Sequence, residues 1–158
     1  MKRTSIVIAA AAIIVTISMG VRQAFGLFLP DMSASLGIGR SSFGLALALQ
    51  NLLFGLVQPF VGALGDKHGA GRVVAVGTFV YIVGLIGASL ATNAIGLHLS
   101  FGVLVGMALS ATTFVVVLGA VGRAVPAEKR SMAFGIVTAG GSPGQFLLVS
   151  AGQLMIRQ

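Results

Sequence analysis

Five long apolar runs, parted by short polar or glycine-rich interruptions, make up nearly the whole chain. A helix rising 1.5 Å per residue needs about 20 residues to cross a hydrocarbon layer ~30 Å thick. On that ruler the runs predict five transmembrane helices, over about residues 5–29, 42–64, 72–90, 97–121 and 131–155. The first stops at Pro30-Asp31. The stretch from Pro30 to Arg40 reads as a polar loop, and Ser41 or Ser42 can cap the helix that follows. Pro59 predicts a kink near the end of the second helix. A turn around Thr92-Asn93 parts the third helix from the fourth, and a charged loop over 122–130 precedes the fifth.

Composition sharpens this to a class. The chain has 158 residues, of which 56% are hydrophobic and only 8% charged, with a mean hydropathy of +1.04. Soluble domains carry about a quarter charged residues, so this chain cannot cover a water-facing surface. It reads as an all-α integral membrane protein whose first partner is the lipid bilayer. The net charge of +7 forms no basic stripe interleaved with aromatics, which argues against nucleic acid. Met1-Lys2-Arg3 before an apolar run imitates a signal peptide, yet the run from Ser5 to Leu29 is longer than a signal core and more spans follow. There are no cysteines to hold disulfides or thiolate metal sites.

The basic residues fall at the ends of the apolar runs, where the positive-inside rule puts them. With the N-terminus inside, the inner segments hold Lys2, Arg3, Lys67, Arg72, Arg123, Lys129 and Arg130, and the outer ones Arg40 and Arg157. That imbalance predicts a cytoplasmic N-terminus and a multi-pass protein of the plasma membrane, a bacterial inner membrane being the expected setting.

Candidate chemistry lies where polar residues interrupt the spans. Arg22 is the one charge clearly inside a span, and an intramembrane arginine marks a substrate or ion pathway by default. Its planar fork suits a carboxylate or phosphate. The competing reading is snorkelling, because Arg22 lies only ~5–10 Å below the outer end of its span. Ser18 and Gly26 stand one turn to either side and would extend a polar face. Gln50 and Asn51 in the second helix either line a cavity or bond a neighbouring helix, and Gln58 beside Pro59 would satisfy a kinked backbone. Gly140-Gly141-Ser142-Pro143-Gly144 predicts a broken or bent fifth helix, either at a substrate path or as a packing kink. Gly102-x-x-x-Gly106 and Gly140-x-x-x-Gly144 allow helices to approach closely. Asp31, Asp66 and Glu128 are placed in loops, and His68 and His98 stand alone, so no acid–base pair, nucleophile or nucleotide cradle is assembled. The sequence implies no enzyme, no cofactor and no metal.

The glycine-punctuated turn Gly62-Ala63-Leu64-Gly65-Asp66-Lys67-His68-Gly69-Ala70-Gly71-Arg72 resembles the loop between the second and third helices of the major facilitator superfamily of secondary transporters. Gly62, Asp66, Gly69 and Arg72 match its pattern, while Lys67 stands where the family usually has arginine. The charged run 123–130 leading into the Gly/Pro-rich fifth helix is similar to the family's fourth-to-fifth connection. Gly20-Val21-Arg22-Gln23-Ala24-Phe25-Gly26-Leu27-Phe28, with Gln50-Asn51-Leu52-Leu53-Phe54-Gly55, resembles the branch of monocarboxylate and oxalate/formate-type carriers. The resemblance implies alternating access between two six-helix halves, with a small organic anion, such as a carboxylate, as substrate. It implies Arg22, Gln50 and Asn51 as substrate-binding residues. Gly62, Asp66, Gly69 and Arg72 would form an inner gate, with Arg123 as a basic partner for Asp66. Gly141, Pro143 and Gly144 would form the helix break. Residues 1–158 would then be an incomplete N-terminal bundle, a fragment whose missing C-terminal helices are its partners. The alternative reading is a non-transporting membrane subunit that packs against partner helices through its glycine faces.

Overall fold

The computed structural model describes residues 2–156 and is built of helices: α1 (Lys2–Ala24), α2 (Leu29–Leu36), α3 (Arg40–His68), α4 (Ala70–Ser89), α5 (Ala94–Leu97), α6 (Gly106–Thr112), α7 (Phe114–Ala124) and α8 (Arg130–Ile156). A 3₁₀ turn at Phe25–Phe28 extends α1, and another at Ala127–Lys129 leads into α8. A π-helical segment, His98–Val105, joins α5 to α6. Five stretches are long and apolar enough to cross a membrane: Thr4–Phe28, Arg40–His68, Ala70–Ser89, Ala94–Ala124 and Ala127–Ile156. These are the five expected spans, with ends displaced by one to four residues at most positions. Arg157, counted above for orientation, lies outside the described residues, as do the side chains of Lys2 and Arg3.

Three local expectations give way to the structure. The segment after the first span is not an open loop: residues 29–36 form α2, with Pro30 in its first turn and Gly37 closing it at φ 61°. Proline is tolerated there because a first-turn N–H has no helical acceptor to lose. The turn at Asp66 is almost entirely helical. α3 continues to His68 and α4 begins at Ala70, leaving Gly69 alone between them at φ 90°. Hydropathy sets where a span leaves the hydrocarbon, whereas a helix ends only where its backbone is turned. Third, α8 is unbroken through Gly141, Pro143 and Gly144. Within a transmembrane helix the one hydrogen bond lost at proline is readily replaced locally.

The fold comprises two compact units, one formed by the chain up to Leu27 together with the chain from Thr112 onward, the other by Phe28–Ala111. In the first unit α1 packs along α8, with α7 against both. The contacts climb in step. A Cβ on Gly140 would stand 3.3 Å from the Ala12 carbonyl oxygen, one on Gly144 would overlap the Thr16 carbonyl, and one on Gly152 would stand 3.2 Å from Leu27 Cδ1. The two helices therefore run parallel, held closer than any side chain at Gly144 would permit. Thr16 Oγ1 lies 2.7 Å from both the Ala12 and the Gly140 carbonyl oxygens, so its hydroxyl can bond across the seam.

In the second unit α3 packs along the π-helical segment and α6, and α4 packs on the other side of that segment. Again the positions advance together, every four residues. His98 meets Ser42, Gly102 meets Ala46, Gly106 meets Gln50 and Ser110 meets Phe54. Gly84 and Gly87 of α4 meet Val105 and Ser100 in falling order, so α4 runs antiparallel to the fourth span. Phe43 and Phe101 stack with ring centroids 6.2 Å apart and close the core between these helices. Both small-residue pairs singled out in the sequence thus lie in helix–helix seams.

Candidate functional site

Gln50 lies at the middle of the second unit's seam. It is fully buried, and neither Nε2 nor Oε1 makes a hydrogen bond. A hypothetical Cβ on Gly106 would come within 2.9 Å of the Gln50 carbonyl oxygen, so the fourth span presses on the α3 backbone at this residue. Leaving an amide unpartnered in such surroundings costs about 1–3 kcal/mol. The groups above and below it are all satisfied. His98 Nε2 lies 2.8 Å from the Ser42 carbonyl oxygen, and Ser110 Oγ donates to the Phe54 carbonyl at 2.9 Å. Among the described residues of this seam, Gln50 is the one buried polar side chain without a partner.

Asn51 points the other way. Adjacent residues on a helix are ~100° apart, and Asn51 is exposed, its Nδ2 donating 2.8 Å to the Leu47 carbonyl one turn back. The structure therefore does not bring Gln50 and Asn51 to one face. Gln58 is half-buried and forms no bond to the backbone around Pro59, through which α3 continues.

Arg22 stands half-buried in the last turn of α1, within the first unit, and is engaged in an interaction. Ser18, one turn before it, is buried. Gly26 falls in the 3₁₀ turn, where three rather than 3.6 residues complete a circuit, and it is exposed. The expected three-residue polar face is thereby interrupted on its outer side.

The residues of the inner turn occupy two helix ends. Gly62 is half-buried in α3, Asp66 is exposed near the end of α3 and holds an interaction of its own, and Arg72 is exposed in the first turn of α4. Gly69 carries the reversal: its φ of 90° lies where L side chains are strained, and its N–H donates 3.0 Å to the Gly65 carbonyl. Arg123 is in the last turn of α7, exposed and also engaged. In α8, Gly141 lies against Val15 and Met19, and Gly144 against Thr16, so these glycines are packing surface.

Two features of the fourth span escaped the sequence. The π winding over 98–105 has no proline or polar run to announce it, and at Thr113 the backbone turns extended, with φ −118° and ψ −155°, before α7 resumes. Thr112 and Thr113 are buried, and both are engaged. A pair of β-branched hydroxyl residues in an apolar run was the available signal, since threonine is a weak helix former with its own bonding options.

A family model described as Major Facilitator Superfamily matches residues 11–158. The chain belongs to the major facilitator superfamily. Membership places these five spans in a transporter fold rather than an enzyme, with the Gly62–Arg72 turn and the parallel seams as parts of a multi-pass membrane protein. Among curated proteins the chain is similar to monocarboxylate transporter 11 of Mus musculus, 30% identical over 95% of this chain and 33% of that protein. It is similar to monocarboxylate transporter 11 of Homo sapiens at 28%, over 95% of this chain and 32% of that protein. The chain spans about a third of the length of the curated relatives it matches.

Proposed function

We propose that this chain contributes to a secondary transporter of a small organic anion, a carboxylate above all, working by alternating access as part of a larger helical bundle. The observation that carries the proposal is the half-buried residue Arg22 in the last turn of α1, in a chain whose curated relatives are named monocarboxylate transporters. A permanent cation inside a span is costly and by default marks a substrate or ion pathway. Gln50, in its own unit, is a second binding residue: its amide is unsatisfied in this conformation and becomes useful when the seam opens. Asn51 lines the path from the opposite face of α3. Asp66, with Gly62, Gly69, Arg72 and Arg123, belongs to the inner gate, and the N-terminus lies on that cytoplasmic side of a plasma membrane. Gly141, Pro143 and Gly144 supply bending capacity to α8 without breaking it in this state. The subunit alternative is disfavoured because Gly102, Gly106, Gly140 and Gly144 already face helices of their own units.

The test is uptake into proteoliposomes of labelled mono- and dicarboxylates, by the chain alone and by the longest reading frame containing it. Arg22→Ala and Arg22→Lys are compared at matched insertion. Saturable uptake reduced at least about a hundredfold in Arg22→Ala, and not rescued by lysine, supports the reading, since lysine lacks the planar fork. Unchanged uptake in both variants would leave Arg22 a snorkelling residue and remove the anion argument.

A further inference from the structure

The second unit carries a groove of about 290 Å³ between α3, α4 and α6. Its walls are apolar, formed by Val57 and Leu64 on α3, Val76 and Val80 on α4, and Met107 on α6. One end is different. His68 and Arg72, on either side of the Gly69 turn, border that end through the carbon of their side chains and are exposed at its rim, where the two helices meet their connection. Lys67 is exposed beside them, and together with Arg72 it outnumbers the one carboxylate of the turn, Asp66.

We propose that this groove is a site for one acyl chain of an anionic phospholipid, with the lipid phosphate held at Arg72 and His68. Length and charge agree on that occupant. From Val57 to His68 along α3 is ~16 Å, and from Arg72 to Val80 along α4 is ~12 Å, which brackets half of a ~30 Å hydrocarbon core. The groove therefore reaches from the headgroup level to the middle of the bilayer, the depth of a single leaflet. At the mouth, the guanidinium can take a phosphate through two parallel N–H bonds, and basic pockets between helices on the positively charged side suit anionic headgroups. The assignment rests on the groove alone and is independent of the transport reading.

Native mass spectrometry of the detergent-purified chain, incubated with equal amounts of dioleoylphosphatidylglycerol and dioleoylphosphatidylcholine, tests it. The wild type is expected to retain the anionic lipid about fivefold more than the zwitterionic one, the effect of one favourable interfacial charge. Arg72→Gln is expected to bring the ratio to about one. Val76→Trp, at a position 64% exposed and so free to accept a larger side chain, is expected to release both lipids by filling the groove. Val80→Phe provides a second filling variant, and circular dichroism confirms that each variant is folded. Equal retention of the two lipids by the wild type overturns the proposal. So does a preference that survives Arg72→Gln. Undiminished phosphatidylglycerol retention in both folded filling variants also overturns it, since the lipid would then be held by loop charge outside the groove.

Discussion

The two units solve one packing problem in two ways. Each lays a pair of parallel helices together through a ladder of contacts four residues apart: Ala12, Thr16 and Gly20 against Gly140 and Gly144 in one, and Ser42, Ala46, Gln50 and Phe54 against His98, Gly102, Gly106 and Ser110 in the other. In the first, the backbones touch and the central polar side chain, Thr16, bonds across the seam. In the second, the central side chain is a glutamine with no partner, and the facing span is wound as a π-helix just before the contact. π turns cluster at functional positions in helices, and so do unsatisfied buried polar groups. Close approach alone does not make a joint rigid. The first seam is satisfied in this conformation, and the second is held in it at a cost.

That contrast can be broken most sharply at Gly144. Gly144→Val places a side chain where the Thr16 carbonyl already is, and the first unit is expected to lose about 3 kcal/mol or more. Reversible unfolding of the detergent-solubilised chain in increasing sodium dodecyl sulfate would measure it. A loss under about 1 kcal/mol would mean that the α1–α8 seam is looser than described. Gln50→Met tests the other half and carries the opposite sign. It keeps the volume and removes the unpartnered amide, so the same assay should show a gain of about 1–2 kcal/mol. A loss instead would show that the amide has a partner and that the two seams are alike. The smallest effect belongs to Thr16→Val, which deletes the cross-seam hydroxyl at nearly constant shape. Hydrogen bonds between transmembrane helices average ~0.6 kcal/mol, and a loss of that order is expected.

The spans were legible because bilayer thickness sets a ruler that hydropathy reads directly, and residues such as Pro30 and Asn93 punctuate it. Gly69 was legible as a turn because glycine is the residue that accepts φ 90°. What hydropathy cannot see is which way a residue faces. Gln50 and Asn51 are neighbours of similar polarity, and only the position of the fourth span decides that one is enclosed and the other left outside. The π winding of 98–105 is equally hidden, since Gly102 and Gly106 abut α3 through their backbones and leave no compositional trace beyond glycine itself. Pro143 is the converse case. Its sequence context suggested a broken or bent helix, and α8 is continuous through it, with α1 packed alongside.

Gly69 also has a mechanical meaning. With one residue between α3 and α4, the connection contains no slack. A loop of ten residues would let one rod swing while the other stayed still, whereas a single pivot hands every displacement of one rod's end to the other. The pair behaves as a bent lever whose elbow is the backbone itself. Lengthening that elbow by a few flexible residues would uncouple the arms without altering a single contact along them.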